Sequence, residues 1–197
     1  MGQLTIYVTA RNVETLSEAK ELVTRIVEDN KGEEVPDVKP FHVSTRNDEE
    51  RLRKELDSHR PCKVLCCVDN SARNIILSPT EPDEASQVVD AAEKFCADDG
   101  VFLLLFGHHD ISDDGLYDEE HFDAILNRQP KLRRLVANKR FLSMDSNLNK
   151  GQEQAILNWI KVEPVYSTKD TDTVKTTSFS SFLSKLFGRT RTETPKS

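Results

Sequence analysis

The chain has 197 residues, with 27 Lys and Arg against 34 Asp and Glu for a formal charge of −7; 37% of it is hydrophobic and 31% charged. This suits one soluble domain with a short extension. No apolar run approaches the ~20 residues that a bilayer span needs, and the acidic balance argues against nucleic acid as a partner, because phosphate contacts need clustered Lys and Arg.

The first expected element is a strand at Leu4–Val8, entered without the basic and then apolar residues of a signal sequence, so a cytoplasmic location is expected. Leu16, Ala19, Leu22, Val23, Ile26 and Val27 recur at steps of three and four and predict a helix, with Thr15 and Glu18 spaced as a capping box. A strand at Phe41–Val43 leads to a second helix carrying Leu52 and Leu56, with Asn47 and Glu50 as its box. The run Val64–Val68 reads as a strand, and Ala85, Val88, Val89, Ala92 and Phe95 as the next helix. Val101–Phe106 is a fourth strand. Helical spacing then runs from Asp118 to Val136 with a break at Pro130, followed by a strand at Arg140–Met144 and a last helix with Ala155, Ile156, Trp159 and Ile160. Continuous apolar strands alternating with amphipathic helices predict an α/β fold: a three-layer, doubly wound, mainly parallel five-stranded sheet, either flavodoxin-like or degenerate P-loop-like. The domain is expected to span residues 1–163. From Pro164 onward, six basic and three acidic residues give +3, leaving −10 for the body, and residues 164–197 are rich in Ser and Thr and expected to be mostly disordered.

In such sheets ligands bind at the carboxyl ends of the strands. The segments there are polar: Thr9-Ala10-Arg11-Asn12, Ser44-Thr45-Arg46-Asn47, Asp69-Asn70-Ser71-Ala72-Arg73-Asn74, Gly107-His108-His109-Asp110 and Asp145-Ser146-Asn147. The candidate ligand-binding residues are therefore Arg11, Arg46, Asp69, Ser71, Arg73, His108, His109, Asp110, Asp145 and Asn147. Such residues also favour turns and helix caps wherever they occur. The thrice-repeated Arg-Asn pair would suit a phosphate or carboxylate if Arg11, Arg46 and Arg73 met, although short dipeptides also recur by chance. Ser71 or Asp69 with His108 has the makings of a hydrolytic pair if the strand ends bring them together.

Residues Thr9 to Lys20 contain no glycine, and neither nucleotide-binding glycine motif occurs in the chain, which disfavours a phosphate cradle. The stretch from Gly107 to His121 partly fits a calcium loop at Asp110, Ser112, Asp114 and Gly115 but has His121 where a bidentate Glu is required. It reads as an acidic loop with Asp118 as N-cap of the next helix, and no metal or cofactor is assigned. Cys66 and Cys67 lie within an apolar strand, and with Cys62 and Cys96 they lack paired CxxC spacing; buried neutral thiols are expected, with neither catalytic nor zinc-binding roles.

From about Pro61 to Ile160 the chain resembles the second half of the immunity-associated GTPase family. The likeness rests on Val64-Leu65-Cys66-Cys67-Val68, Thr80-Glu81-Pro82-Asp83-Glu84-Ala85, Phe102-Leu103-Leu104-Leu105-Phe106-Gly107-His108-His109-Asp110, and Arg140-Phe141-Leu142-Ser143-Met144-Asp145-Ser146-Asn147 before Gly151-Gln152-Glu153-Gln154. The resemblance implies Asp110 as the guanine-reading carboxylate, with His108 or His109 beside it and Asn147 near the other base-contacting loop. The phosphate loop and magnesium-positioning residues of that family have no counterparts before Pro61, so the resemblance implies a degenerate member that hydrolyses GTP poorly.

In the tail, Phe179, Phe182, Leu183, Leu186 and Phe187 fall on one face of a helix expected at 178–188, flanked by Lys185, Arg189 and Arg191. Such a face suits a groove on a protein partner, weak peripheral contact with an anionic membrane, or the chain's own domain. The function expected is a non-catalytic intracellular interaction or signalling module with this docking helix. The alternative is a nucleotide-binding protein or hydrolase with its site at the strand ends.

Overall fold

Apolar runs without alternation need cover on both sheet faces, and the longest of them form the interior strands: β1 (Thr5–Ala10), β3 (Cys62–Asp69) and β4 (Val101–Phe106). The computed structural model describes residues 3–30, 35–69, 84–96, 99–107 and 115–162. All lie in the first of two units into which the chain divides, Met1–Tyr166 and Ser167–Ser197. The expected boundary at 163 and the tail helix at 178–188 lie outside the described residues.

With the edge strands β2 (Asp37–His42) and β5 (Phe141–Met144), the sheet is all parallel in the order β2-β1-β3-β4-β5. That is the flavodoxin-like order of the doubly wound class. Helices α1 (Val13–Asp29) and α6 (Lys150–Lys161) cover one face, packing Leu16, Val23, Ile26, Ile156 and Trp159 on Ile6, Val8, Leu65, Phe102 and Leu104. On the other face, α2 (Arg46–Ser58), α3 (Glu84–Phe95), α4 (Glu119–Leu126) and α5 (Pro130–Ala137) pack on Tyr7, Val64, Cys66, Leu103 and Phe141. Alternate residues of one strand thus serve two cores, and each fully buried large side chain contributes about 1.5–3 kcal/mol.

The second strand begins earlier than its apolar run suggests, because an edge strand needs less burial. Asp37 N–H donates to Leu4 O at 2.9 Å and Val43 N–H to Ala10 O at 3.0 Å. Odd positions therefore face β1 and even ones face away, which puts Pro40, with no N–H to offer, on the unpaired side. The helix caps also differ from those expected. Asn12, not Thr15, caps α1, its Oδ1 accepting from Glu14 N–H at 2.8 Å, while Thr15 is buried. In α2 the box is Thr45 with Asp48, two residues before the expected pair.

The other edge is covered at Ser143 by one backbone and one side-chain bond. Ser143 N–H donates to Leu116 O at 3.0 Å beside β5. Buried Gln152 donates to Leu116 O at 3.1 Å and Ser143 O at 2.7 Å, while Asn149 donates to Gly115 O at 2.9 Å. Asn149 and Gln152 also form a reciprocal capping box that starts α6. The pair thus begins a helix, and its Gln152 together with Leu116 O occupies the Ser143 backbone groups on the edge of β5 that another strand would otherwise pair with.

Lys63, in β3, is fully buried. Its residue parity points it at the α1/α6 face, where Nζ donates to the carbonyls of Trp159, Ile160 (3.4 Å) and Val162 (2.6 Å), and sits 5.5 Å from the Trp159 ring centroid. These carbonyls end α6, where the helix leaves acceptors without intrahelical donors and a cation is favoured. Burial lowers the ammonium pKa to about 8, partly opposed by Asp99.

Candidate functional site

In the order β2-β1-β3, the chain leaves β1 to one side and returns past it on the other, so the switch point lies between β1 and β3 at their carboxyl ends. Thr9 lies opposite Cys66, and its Oγ1 donates to Leu65 O at 3.3 Å, fixing the two strands just below the crevice. Asp69 ends β3 opposite Phe106 of β4 and is half-buried.

The loops beside the switch point direct much of their polar chemistry inward. Asn12 holds the first turn of α1, and His42 Nε2 donates to Arg11 O at 2.7 Å, tying the ends of β1 and β2 together. Asp48 Oδ2 accepts from Thr45 Oγ1 at 2.8 Å, Thr45 N–H at 3.0 Å, and Ser44 N–H and Oγ at 3.3 Å. The Thr45 hydroxyl, followed by the Ser44 amide, holds this carboxyl below its ordinary pKa. Arg11, Arg46 and Val13 are exposed on these loops, the last with 65% of its surface open at the start of α1.

Five of the ten sequence-predicted site residues are described, and they divide into separate places. Arg11 follows β1 and Arg46 opens α2 after the neighbouring β2, so these two share one side of the rim. Asp69 lies at the switch point itself. Asp145 and Asn147 follow β5, exposed, with Asn147 Nδ2 donating to Ser146 Oγ at 3.4 Å. β1 and β5 are three strand spacings apart, about 14 Å, so a single phosphate cannot touch both ends of this set. Ser71, Arg73, His108, His109 and Asp110 lie outside the described residues, as do Phe179, Phe182, Leu183, Leu186 and Phe187. Gly107, leaving β4 with φ 73°, adopts the left-handed conformation that glycine takes without a Cβ clash.

Two features were not anticipated from the sequence. Glu49 of α2 is 5% exposed, and the Gln87 amide of α3, with its nitrogen toward the carboxylate, donates to both oxygens of Glu49, one at 2.7 Å. Nothing in the run Asp48-Glu49-Glu50 distinguishes the buried acid from its exposed neighbour Glu50, except that Glu49 lies three residues before Leu52 on the helix. The second is a cavity of about 720 Å³ beyond β5, lined in part by Asp99, Tyr117, Arg140, Gln154, Asn158 and Trp159. Asp99 and Arg140 precede β4 and β5, while Gly115, Leu116 and Gly151 lie toward the start of α6, so the cavity runs along the outer side of β5 and away from the switch point. At its rim Lys139 takes φ 56° as the left-handed residue of a Schellman turn, with Lys139 N–H donating to Val136 O at 2.9 Å and Arg140 N–H to Leu135 O at 2.8 Å.

The four cysteines are buried. Burial raises the Cys67 thiol pKa, which makes it a poor nucleophile. Among the described residues, no three His, Cys, Asp or Glu side chains are placed to share a metal ion, and no helix is long and apolar enough to cross a membrane. No protein-family profile matches the chain, nor does any curated protein.

Proposed function

We propose that this chain is a non-catalytic interaction or signalling module on a nucleotide-binding-type α/β fold, acting in the cytoplasm through a protein partner. The supporting observation is the closed β1–α1 turn. A phosphate-binding domain of this order presents backbone N–H groups there, whereas here Asn12 takes the Glu14 N–H and the turn is built from Thr9-Ala10-Arg11-Asn12 without glycine. Exposed Val13, two residues after exposed Arg11, puts an apolar contact on this rim, and Arg is enriched at protein interfaces. In this reading the likeness of residues 61–160 to the immunity-associated GTPases reflects a related sheet without efficient hydrolysis, and the apolar spacing from Phe179 to Phe187 supplies a second docking element, for a partner or weakly for a membrane. The reading is tested by placing a photo-crosslinking amino acid at Val13 and, as a control, at exposed Lys20 of the full chain in cells. Discrete adducts to another protein at Val13 and none at Lys20 are expected; equal labelling at both positions would contradict it.

The half-buried carboxylate of Asp69 at the switch point favours a second reading, in which the strand ends bind a nucleotide or support hydrolysis. Tight nucleotide binding lost in Asp69→Ala would establish it in place of the first.

A further inference from the structure

The amino end of the sheet holds a pair of sulfur atoms that the proposed function does not use. Cys62 is the first residue of β3, and Cys96 follows α3 with its N–H donating to Ala92 O at 2.7 Å. Their Sγ atoms are 3.5 Å apart, and both side chains are buried. A disulfide needs about 2.05 Å between sulfurs, so the gap to be closed is of the size that side-chain rotation covers. The sequence separation of these cysteines gave no hint of pairing; the β3–α3 crossover brings them together.

We propose that Cys62 and Cys96 are a redox-responsive thiol pair that closes to an intramolecular disulfide when the domain meets a peroxide. Cys62 takes the attacking role and Cys96 the resolving one. With Cys96 as the donor of the S–H···S contact, that contact and the nearby Arg60 guanidinium favour the Cys62 thiolate against its burial and its 3.6 Å contact with Leu56 O, whereas the same contact and burial hold Cys96 protonated. In the first step local opening at the amino end of the sheet admits peroxide to Cys62, which is fully buried in the closed domain, and its thiolate attacks one peroxide oxygen; the O–O bond breaks, a sulfenic acid forms on Cys62, and the other oxygen leaves as water after taking up a proton. In the second, Cys96 sulfur attacks Cys62 sulfur; the S–S bond forms, the S–O bond breaks, and the hydroxyl leaves as water with the Cys96 proton. Two thiols lose two electrons and hydrogen peroxide becomes two waters. The bridge would enclose α3 and the segment after Asp69, linking the oxidation state at the amino end of the sheet to the crossover that starts at the switch point.

The test uses the folded full chain treated with hydrogen peroxide, then denatured, alkylated without reductant and mapped by mass spectrometry. A Cys62–Cys96 crosslinked peptide is expected in most of the protein, with Cys66 and Cys67 alkylated and the bridge reversed by dithiothreitol. In Cys96→Ser, dimedone should trap a sulfenic acid on Cys62. Because that variant could alter folding, the wild-type map decides by itself: full alkylation of Cys62 and Cys96, or other pairings at equal yield, would overturn the proposal.

Discussion

Replacing Lys63 by Met keeps most of the apolar stem and removes the ammonium from the end of α6. Three acceptors, the carbonyls of Trp159, Ile160 and Val162, lose their charged donor. Hydrogen bonds to charged groups contribute roughly 1.5–3 kcal/mol each and are not additive, while the variant recovers part of the cost of desolvating an ammonium. The folded pKa of about 8 shows that burial outweighs these contacts for the charged form, so at pH 7 the recovered desolvation and the lost donor roughly cancel, and the variant should lie within about 1 kcal/mol of wild type, or about 2–4 °C in Tm for a domain of this size. Trp159, the single tryptophan, lies against Nζ and reports the transition by fluorescence during urea unfolding, with far-UV circular dichroism as the second probe. The pH dependence carries a sign as well. The folded pKa, about 8, is below the ~10.4 of an unfolded lysine, so between these values the unfolded chain binds more protons and wild-type stability gains a positive contribution with rising pH. Lys63→Met should lack that contribution. The variant should therefore fall behind wild type as pH rises through this window; equal pH dependence of the two, or a loss near ~3 kcal/mol already at pH 7, would refute the claim that burial of the charge offsets the carbonyl contacts at neutral pH.

Three other outcomes are expected. Lys139→Gly removes a Cβ from a left-handed position and should stabilise the domain by about 0.5–1 kcal/mol, measured as a higher urea midpoint at unchanged m-value. Asp48 has a lowered folded pKa, so its contribution is complete above the ordinary carboxylate range and is lost as pH falls through the folded value; in Asp48→Asn, acid titration followed by circular dichroism should show less loss of stability over that window than in wild type. Phe182→Asp with Leu186→Asp should abolish association with the partner, or with phosphatidylserine vesicles, at unchanged Tm of the body. A large fall in Tm would instead assign these residues to self-docking.

The layer order was legible because burial on both faces leaves an unbroken apolar run, as in Val101–Phe106, and a one-sided helix leaves a stripe, as in Leu16 to Val27. Edge strand β2 was only partly legible, since Asp37, Lys39 and Pro40 are compatible with a half-exposed edge and carry no apolar signal. The helix starts were misplaced because several Ser, Thr, Asn and Asp residues in succession satisfy the capping spacing, and the backbone selects among them. Lys63 was invisible as a structural residue: strand parity tells which face it takes, not that the end of a helix ninety-odd residues later supplies its acceptors. The Asn149–Gln152 box was within reach of spacing rules, but its bonds to Gly115 and Leu116 depend on tertiary placement. For the candidate site, the alternation put Arg11, Arg46, Asp69, Asp145 and Asn147 at strand ends; only the strand order separates the β5 pair from the switch point.

Calorimetric titration of the full chain with GTP, GDP and ATP, each with and without magnesium, tests the proposed function most directly. No binding tighter than high micromolar is expected from a turn closed by Asn12 and built without glycine. Low-micromolar or tighter affinity for any of the three would contradict the non-catalytic interaction module and move the function to the strand ends around Asp69.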